Sequence, residues 1–488
     1  MAKSTTDRKI FIDEVRKGKH DPITFHALLK YNFNEKDRLF ILNKLPGSYT
    51  NYAYSLPKPS SHEDIGKNIT FIKEKPSLME EFFFLLETLK LYRVEIFKFV
   101  KLNNDFEHHL LIGDYDKCFE ILDQMDNSVG HSYHSLLCEY YINEYKGDSQ
   151  ANRELLLYLN NNQAPTKLLI MMNLTRFRID QNVSTLQYEG SIEQNTRLYE
   201  PTTHSEYIDY IFFKFDYFNF DRTIKNYSFI LGFDSDFAVV DRYISLKRAL
   251  PLILADRSVP FKERQSIIEA CLNHFSNTAD PFWQNFKALY GKQDVTIPPD
   301  RSNFHTIQDD FFNGNYSQVV EKCRQKLDAN PEFSELYLPY VQATLALGKN
   351  IESIECCSEN VRETLILIGA TLQKGADYLS VRERLLKRFY MAAHFSFSVH
   401  LLEFVYNEYN ITIPNNVQLI SFLNSAVLRY NAFKVFNNEN TLITFLERFP
   451  YRTEQYLLTC INGDFKRVDT YLAVKIEVGQ LLKSKRYD

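Results

Sequence analysis

The chain has 488 residues, 44% of them hydrophobic and 24% charged, with a formal net charge of −5. That length exceeds one hydrophobic core and points to several domains or one elongated array; the mild acidity does not advertise nucleic-acid binding, which rests on phosphate neutralisation. Glycine (15) and proline (16) are sparse beside 39 Phe and 31 Tyr, so long helices are favoured over many short strands joined by tight turns.

The first residues, MAKSTTDRKIFIDEVRKGKHD, lack an apolar core long enough for a signal peptide. No stretch approaches the roughly 18 apolar residues of a membrane span. The expectation is a soluble cytoplasmic protein with no membrane partner. Residues 1–45 carry helical periodicity, and GSYTNYAYSLPKPSSHED breaks it with Pro57 and Pro59, as a linker does. Ser77 and Glu80 form a capping-box pair opening SLMEEFFFLLETLKLYRVEIFKFVKL, read as one strong helix buried on more than one side.

Next comes LLIGDYDKCFEILDQM, whose Gly113, Tyr115, Cys118 and Leu122 share the spacing of Gly314, Tyr316, Val319 and Cys323 in FFNGNYSQVVEKCRQKLDANP. Gly147 lies 34 residues after Gly113, and Gly348 lies 34 after Gly314, which is the tetratricopeptide period. INGDFKRVDTYL, with Gly463 and Phe465, is a further isolated copy. The intervening stretch is less regular. RIDQNVSTLQYEG reads as a short strand or extended loop, and SEYIDYIFFKFDYFNF as a helix capped by Thr203 and Glu206. Its aromatic faces suit either a core or a binding surface. Helices follow over DSDFAVVDRYISLKRALPLIL, PFKERQSIIEACLNHF (opened by Pro260) and PFWQNFKALYG, then a joint at DVTIPPDRSN, then further helices to the end.

The glycine-aromatic spacing over 300–367, and again over 99–166, resembles the tetratricopeptide family of helical repeats. Gly314 stands at the family's knuckle, Tyr316 at its aromatic position and Pro331 at its terminating proline. Val319 replaces the usual alanine and Cys323 the usual aromatic. The resemblance implies an all-α, elongated α-solenoid of helix hairpins with irregular insertions. The expected organisation is an N-terminal helical segment with a loop (1–75), repeats (76–166), an irregular aromatic-rich helical middle (167–293) and C-terminal repeats (294–488). The physical logic is that one hairpin cannot bury both apolar faces, so neighbours stack. Glycine at the knuckle tolerates positive φ, and Asn330-Pro331 ends the second helix.

In that family the first helix of each hairpin lines a concave groove. On this chain the groove falls on Arg301, Phe304, Gln308 and Phe311, on Glu335, Leu338, Gln342 and Leu345, and on His134, Leu137, Tyr141 and Glu144. The mixture of apolar and polar side chains suits a protein segment. The Lys/Asn clamp of chaperone-binding members is not matched.

Chemistry is sparse. GxSxG, a Walker loop, GxGxxG and HExxH are all absent. The seven cysteines contain no CxxC and read as reduced thiols. His131 and His134 have ligand spacing on a helix face but suggest no third ligand, so neither a metal nor a cofactor is expected. Arg388 and His394 fit the Arg-x(4–6)-His spacing of HEPN-type ribonucleases, as do Arg197 and His204; composition alone accounts for about two such matches. Arg382, Arg384, Lys387 and Arg388 form a local basic patch that reads as a solvated helix face. The expected function is a non-enzymatic scaffold or regulatory subunit with a protein partner; the alternative is a HEPN-like ribonuclease or a nucleic-acid-binding repeat protein. Usage rich in Asn, Lys, Ile, Tyr and Phe hints at an AT-rich genome and an accessory component of a bacterial antiviral-defence complex.

Overall fold

The computed structural model describes nearly all of residues 5–46, 59–67, 77–199, 205–215, 226–290 and 306–397, and Tyr49. Among the described residues there are helices and turns and no strand. The contacts group the chain into two units, Met1–Asn103 with Asp116–Ile253, and Asn104–Tyr115 with Leu254–Asp488.

In the first unit, α1 (Thr5–Arg16), α2 (Pro22–Asn32), α3 (Glu35–Leu42) and α4 (Leu78–Leu91) gather around Phe11, Phe25, Leu29, Ile41 and Phe84. The expected capping box opens α4, with Ser77 N–H donating to Glu80 at 3.4 Å. Burial on nearly every side of α4 takes in two carboxylates, Glu81 and Glu87. Buried charges need partners. Lys30 Nζ meets Glu81 at 2.6 Å and Arg38 forks onto Glu87. Burial lowers the Lys30 pKa, and Glu81 opposes the shift. The single long helix expected here is two, because the backbone at Tyr92 leaves the helical region (φ −106°, ψ 26°) before α5 (Arg93–Ile112) begins. No Gly or Pro marks that break.

The unit continues through α6 (Tyr115–Val129), α7 (Tyr133–Tyr145), α8 (Ser149–Asn161), α9 (Thr166–Ile179), α10 (Thr185–Tyr199), α11 (Ser205–Phe215), α12 (Tyr227–Phe233) and α13 (Val239–Ala255). Packing from α7 to α12 runs largely between sequence neighbours, and α12 turns back onto α4. Of RIDQNVSTLQYEG, the first two residues end α9, a short turn follows to Ser184, and the rest, expected as strand or loop, is the start of α10. Ser184 accepts from Gln187 N–H at 3.2 Å and Gln187 accepts from Ser184 N–H at 2.8 Å, a capping box that was legible as S-x-x-Q. On α11 both aromatic faces, including Tyr210, Ile211, Phe213 and Phe215, are buried, so this helix is core; Thr203 and residues 216–225 lie outside the described ones.

The second unit holds α14 (Phe261–Phe275), α15 (Pro281–Tyr290), α16 (Tyr316–Ala329), α17 (Tyr337–Ala346), α18 (Glu359–Gln373) and α19 (Tyr378–Ala392), each of the last four packed on its neighbour. All four knuckle glycines have positive φ: Gly113 +81°, Gly147 +75°, Gly314 +78° and Gly348 +67°. Val319, Cys323 and Leu327 are fully buried, Tyr316 meets the Phe311 ring edge-on, and Asn330 leaves the helical region at φ −142°. The chain after Gly348 departs from the repeat. It forms a short 3-10 turn, Ile351–Ser353, where a hairpin's second helix would stand. The expected copy at Gly463 and the helices beyond residue 397 lie outside the described residues.

Candidate functional site

The residues expected to form the partner face differ in exposure. Glu335, Leu338, Gln342 and Leu345 are all half-buried, and the residues between them, Leu336, Tyr337, Pro339, Tyr340, Val341, Ala343 and Thr344, are buried. The spacing of three, four and three residues keeps the quartet on one side of α17 and its preceding turn. Arg301, Phe304 and Gln308 lie outside the described residues. Phe311, His134, Leu137, Tyr141 and Glu144 are buried, so these five serve packing and line no open face. The cause is local for α7, which is buried almost all round. Tyr141 accepts a hydrogen bond from buried Arg178 at 3.0 Å, and His134 meets Phe99 edge-on.

His134 is also the wrong histidine for a ligand pair with His131. Burial drives its pKa down to about 3, which keeps the ring neutral, and its Nε2 lies 3.5 Å from Cys138 Sγ. Its backbone N–H and that of Tyr133 donate to buried Asp241 at 2.9 and 3.0 Å. Asp241 thus caps α7 from α13. Burial lifts its carboxyl to about 7 against the pull of those two hydrogen bonds.

His131 itself stands before α7, in the corner after α6. Gly130, at φ +84°, turns the chain there. Asp126, in the last turn of α6, then faces His131, with Nδ1 and Oδ2 2.7 Å apart. A third group arrives from the segment 59–67. His62, in the 3-10 turn His62–Asp64, puts Nε2 3.5 Å from the same Asp126 oxygen. The two imidazoles meet edge-on, centroids 4.5 Å apart. All three side chains are half-buried. The segment is seated independently of them. Ile65 is fully buried, Gly66 (φ +77°) passes so close to Phe237 that a Cβ would lie 2.9 Å from its ring, and Pro59 C=O accepts from His131 N–H at 3.2 Å. Nearby Glu139 has its pKa raised by burial; His62 opposes the shift, and Asp126 and Asp123 add to it. The sequence reading stopped at the His131–His134 spacing because the groups His131 meets stand five residues earlier and 69 residues earlier, the latter inside the stretch read as a linker.

A second buried polar cluster lies under α11–α13. Asp234 accepts from Lys214 at 2.7 Å and from Tyr210 and Ser245. Lys167 donates to Asp236 at 2.9 Å while facing the Phe233 and Phe237 rings at 3.9 and 4.1 Å. Each charge has an opposite partner, as a structural network requires.

The ribonuclease pair does not share a helix. Arg388 sits on α19 in an ion pair with Glu363, and α19 ends at Ala392, before His394. Arg384 also reaches Glu363, at 3.4 Å, so part of the basic patch is ion-paired. His204 lies outside the described residues. No helix among the described residues is long and apolar enough to cross a membrane.

No family model, no curated protein and no solved structure matches this chain.

Proposed function

We propose that the chain is a degenerate tetratricopeptide-like scaffold that holds a protein partner on the α17 face. The observation that carries this is the half-buried quartet Glu335, Leu338, Gln342 and Leu345, framed by buried neighbours on a helix left through Gly348 at φ +67°. A half-buried stripe mixing two leucines with two polar side chains suits an amphipathic or extended peptide. Apolar area supplies affinity and the polar pair fixes register. The net charge of −5 favours protein over nucleic acid. Membership of a multi-protein complex, of bacterial defence type, extends the same reading from composition alone.

The test is recovery of the tagged chain from its native host, with nuclease, against a variant carrying Gln342→Glu and Leu345→Glu. One or two stoichiometric proteins should survive nuclease with the native chain and fall at least tenfold with the variant, at unchanged helicity. Equal recovery with the variant means the face is wrong. Recovery of nucleic acid alone, lost at moderate salt, would replace the scaffold reading.

A further inference from the structure

His62, Asp126 and His131 come from separate places in the first unit, yet their ligand atoms all lie within 4.8 Å of one another. His62 Nε2, His131 Nδ1 and Asp126 Oδ1 are withdrawn from water, and none makes a hydrogen bond. This holds although His131 Nδ1 and Asp126 Oδ2 are 2.7 Å apart. The in-plane direction of that nitrogen is therefore not aimed at the carboxylate. Withdrawn polar atoms are costly unless something satisfies them, and a single cation placed between the rings and Asp126 Oδ2, which faces both, would satisfy both ring nitrogens.

We propose that His62, Asp126 and His131 bind one divalent transition-metal ion of the zinc class, clamping the 59–67 segment to the corner between α6 and α7. The donor set selects the ion. Two imidazole nitrogens and one carboxylate oxygen suit zinc and its neighbours, whereas magnesium and calcium favour all-oxygen shells. Three protein ligands leave a fourth position for water or another donor.

The separations lie within side-chain adjustment of the assignment, all three being 4.8 Å or less. Donors about 2.0–2.2 Å from a tetrahedral ion lie roughly 3.3–3.6 Å apart. The His62–Asp126 separation of 3.5 Å is already there. The His131–Asp126 contact needs to open by under about 1 Å, a side-chain rotation. The three side chains keep 15–29% exposure, which leaves an entry path. Because Ile65, Gly66 and the Pro59–His131 backbone bond already seat the segment, the donors are gathered before an ion arrives.

The probe is Co2+, and then Zn2+, added to the full-length, chelator-treated chain under a non-thiol reductant. One equivalent of Co2+ should give the intense visible absorption of a four- or five-coordinate site, without a sulfur charge-transfer band, and Zn2+ should displace it. His62→Ala and Asp126→Asn should each weaken binding at least about a hundredfold, since loss of even an outer-shell partner costs ten- to a hundredfold. His62 stands on a segment seated by other residues and Asn keeps the shape of Asp, so helicity serves as the fold control for both. Zn2+ should also slow hydrogen exchange in residues 59–67 of the native chain and leave His62→Ala unaffected. Native binding weaker than about 0.1 mM, an unchanged Co2+ spectrum in either variant, or a thiolate band would overturn the assignment.

Discussion

At the scale of single residues, two glycines do opposite things. Gly314 has φ +78° and nothing within 4 Å of where a Cβ would stand. Gly369 has ordinary helical backbone on α18, but a Cβ there would lie 2.5 to 2.8 Å from three side-chain carbons of Ile351. The first glycine is needed for its backbone and the second for its absent side chain. Gly314→Ala should cost about 1–2 kcal/mol, the strain of an L-residue in the left-handed region. Gly369→Ala gains about 1 kcal/mol of helix propensity, set against an overpacking cost of about 1–3 kcal/mol. The difference shows in coupling. Ile351→Ala should recover part of the Gly369→Ala loss in a double-mutant cycle read by urea denaturation, and should do nothing for Gly314→Ala. Additive behaviour at Gly369 would mean that Ile351 moves aside without cost.

At the scale of elements, helix ends are tied by groups far away in sequence. Ser358 caps α18 by accepting from Val361 N–H at 3.2 Å, and its hydroxyl also donates to Leu111 C=O at the end of α5. Removing it orphans a donor and an acceptor together. Ser358→Ala should therefore cost about 1–3 kcal/mol, above an ordinary cap of about 1 kcal/mol, by chemical denaturation; a loss under 0.5 kcal/mol would deny the second role. Asp241 and His134, which meet at the start of α7, set up opposed pH dependences. Asp241 is raised from 3.8 to about 7. Between those values the native state keeps a proton that the unfolded chain has released, so stability from this group rises as pH falls. His134 is lowered from 6.5 to about 3. In that window the unfolded chain takes up a proton that the native state refuses, so stability falls with pH. Each slope approaches about 1.4 kcal/mol per pH unit, and they oppose between roughly pH 4 and 6.5. His134→Leu removes one of them. Relative to the native chain, the variant should gain about 1 kcal/mol per unit as pH drops from 6.5 to 4.5, measured by urea midpoints. Parallel curves would show that His134 is protonated in the fold.

At the scale of the molecule, what was legible in the sequence was whatever local chemistry decides. The knuckle glycines, the Ser77–Glu80 cap, Pro260 ahead of α14 and the Asn330 stop all act within a few residues of themselves. The break at Tyr92 carries no local signal. His62, Asp126 and His131 could not be joined from spacing, because His62 lies inside the stretch read as a linker, far in sequence from the other two. The chain passes between its two units at 103, 115 and 253, inside or next to helices rather than at a Pro- or Gly-rich joint. Buried thiols give a way to test those units. Cys118 and Cys138 belong to the first, Cys271 and Cys323 to the second, and all four are buried. Burial pushes the Cys271 and Cys323 thiols far up and Cys356 up to about 11. Exposed Cys357 is raised instead by its hydrogen bond to Asp328. Among the described thiols, an alkylating reagent should therefore label Cys357 first in the native state, Cys356 more slowly, and the four buried thiols only through unfolding. Across a denaturant series read by peptide mass spectrometry, Cys118 and Cys138 should become reactive together, and Cys271 and Cys323 together, because a packed unit opens cooperatively. A strictly one-dimensional repeat array opens repeat by repeat when its interfaces are weak. Separate midpoints within a pair would then place the cooperative boundary at the hairpin, and a single midpoint for all four would dissolve the division into two units.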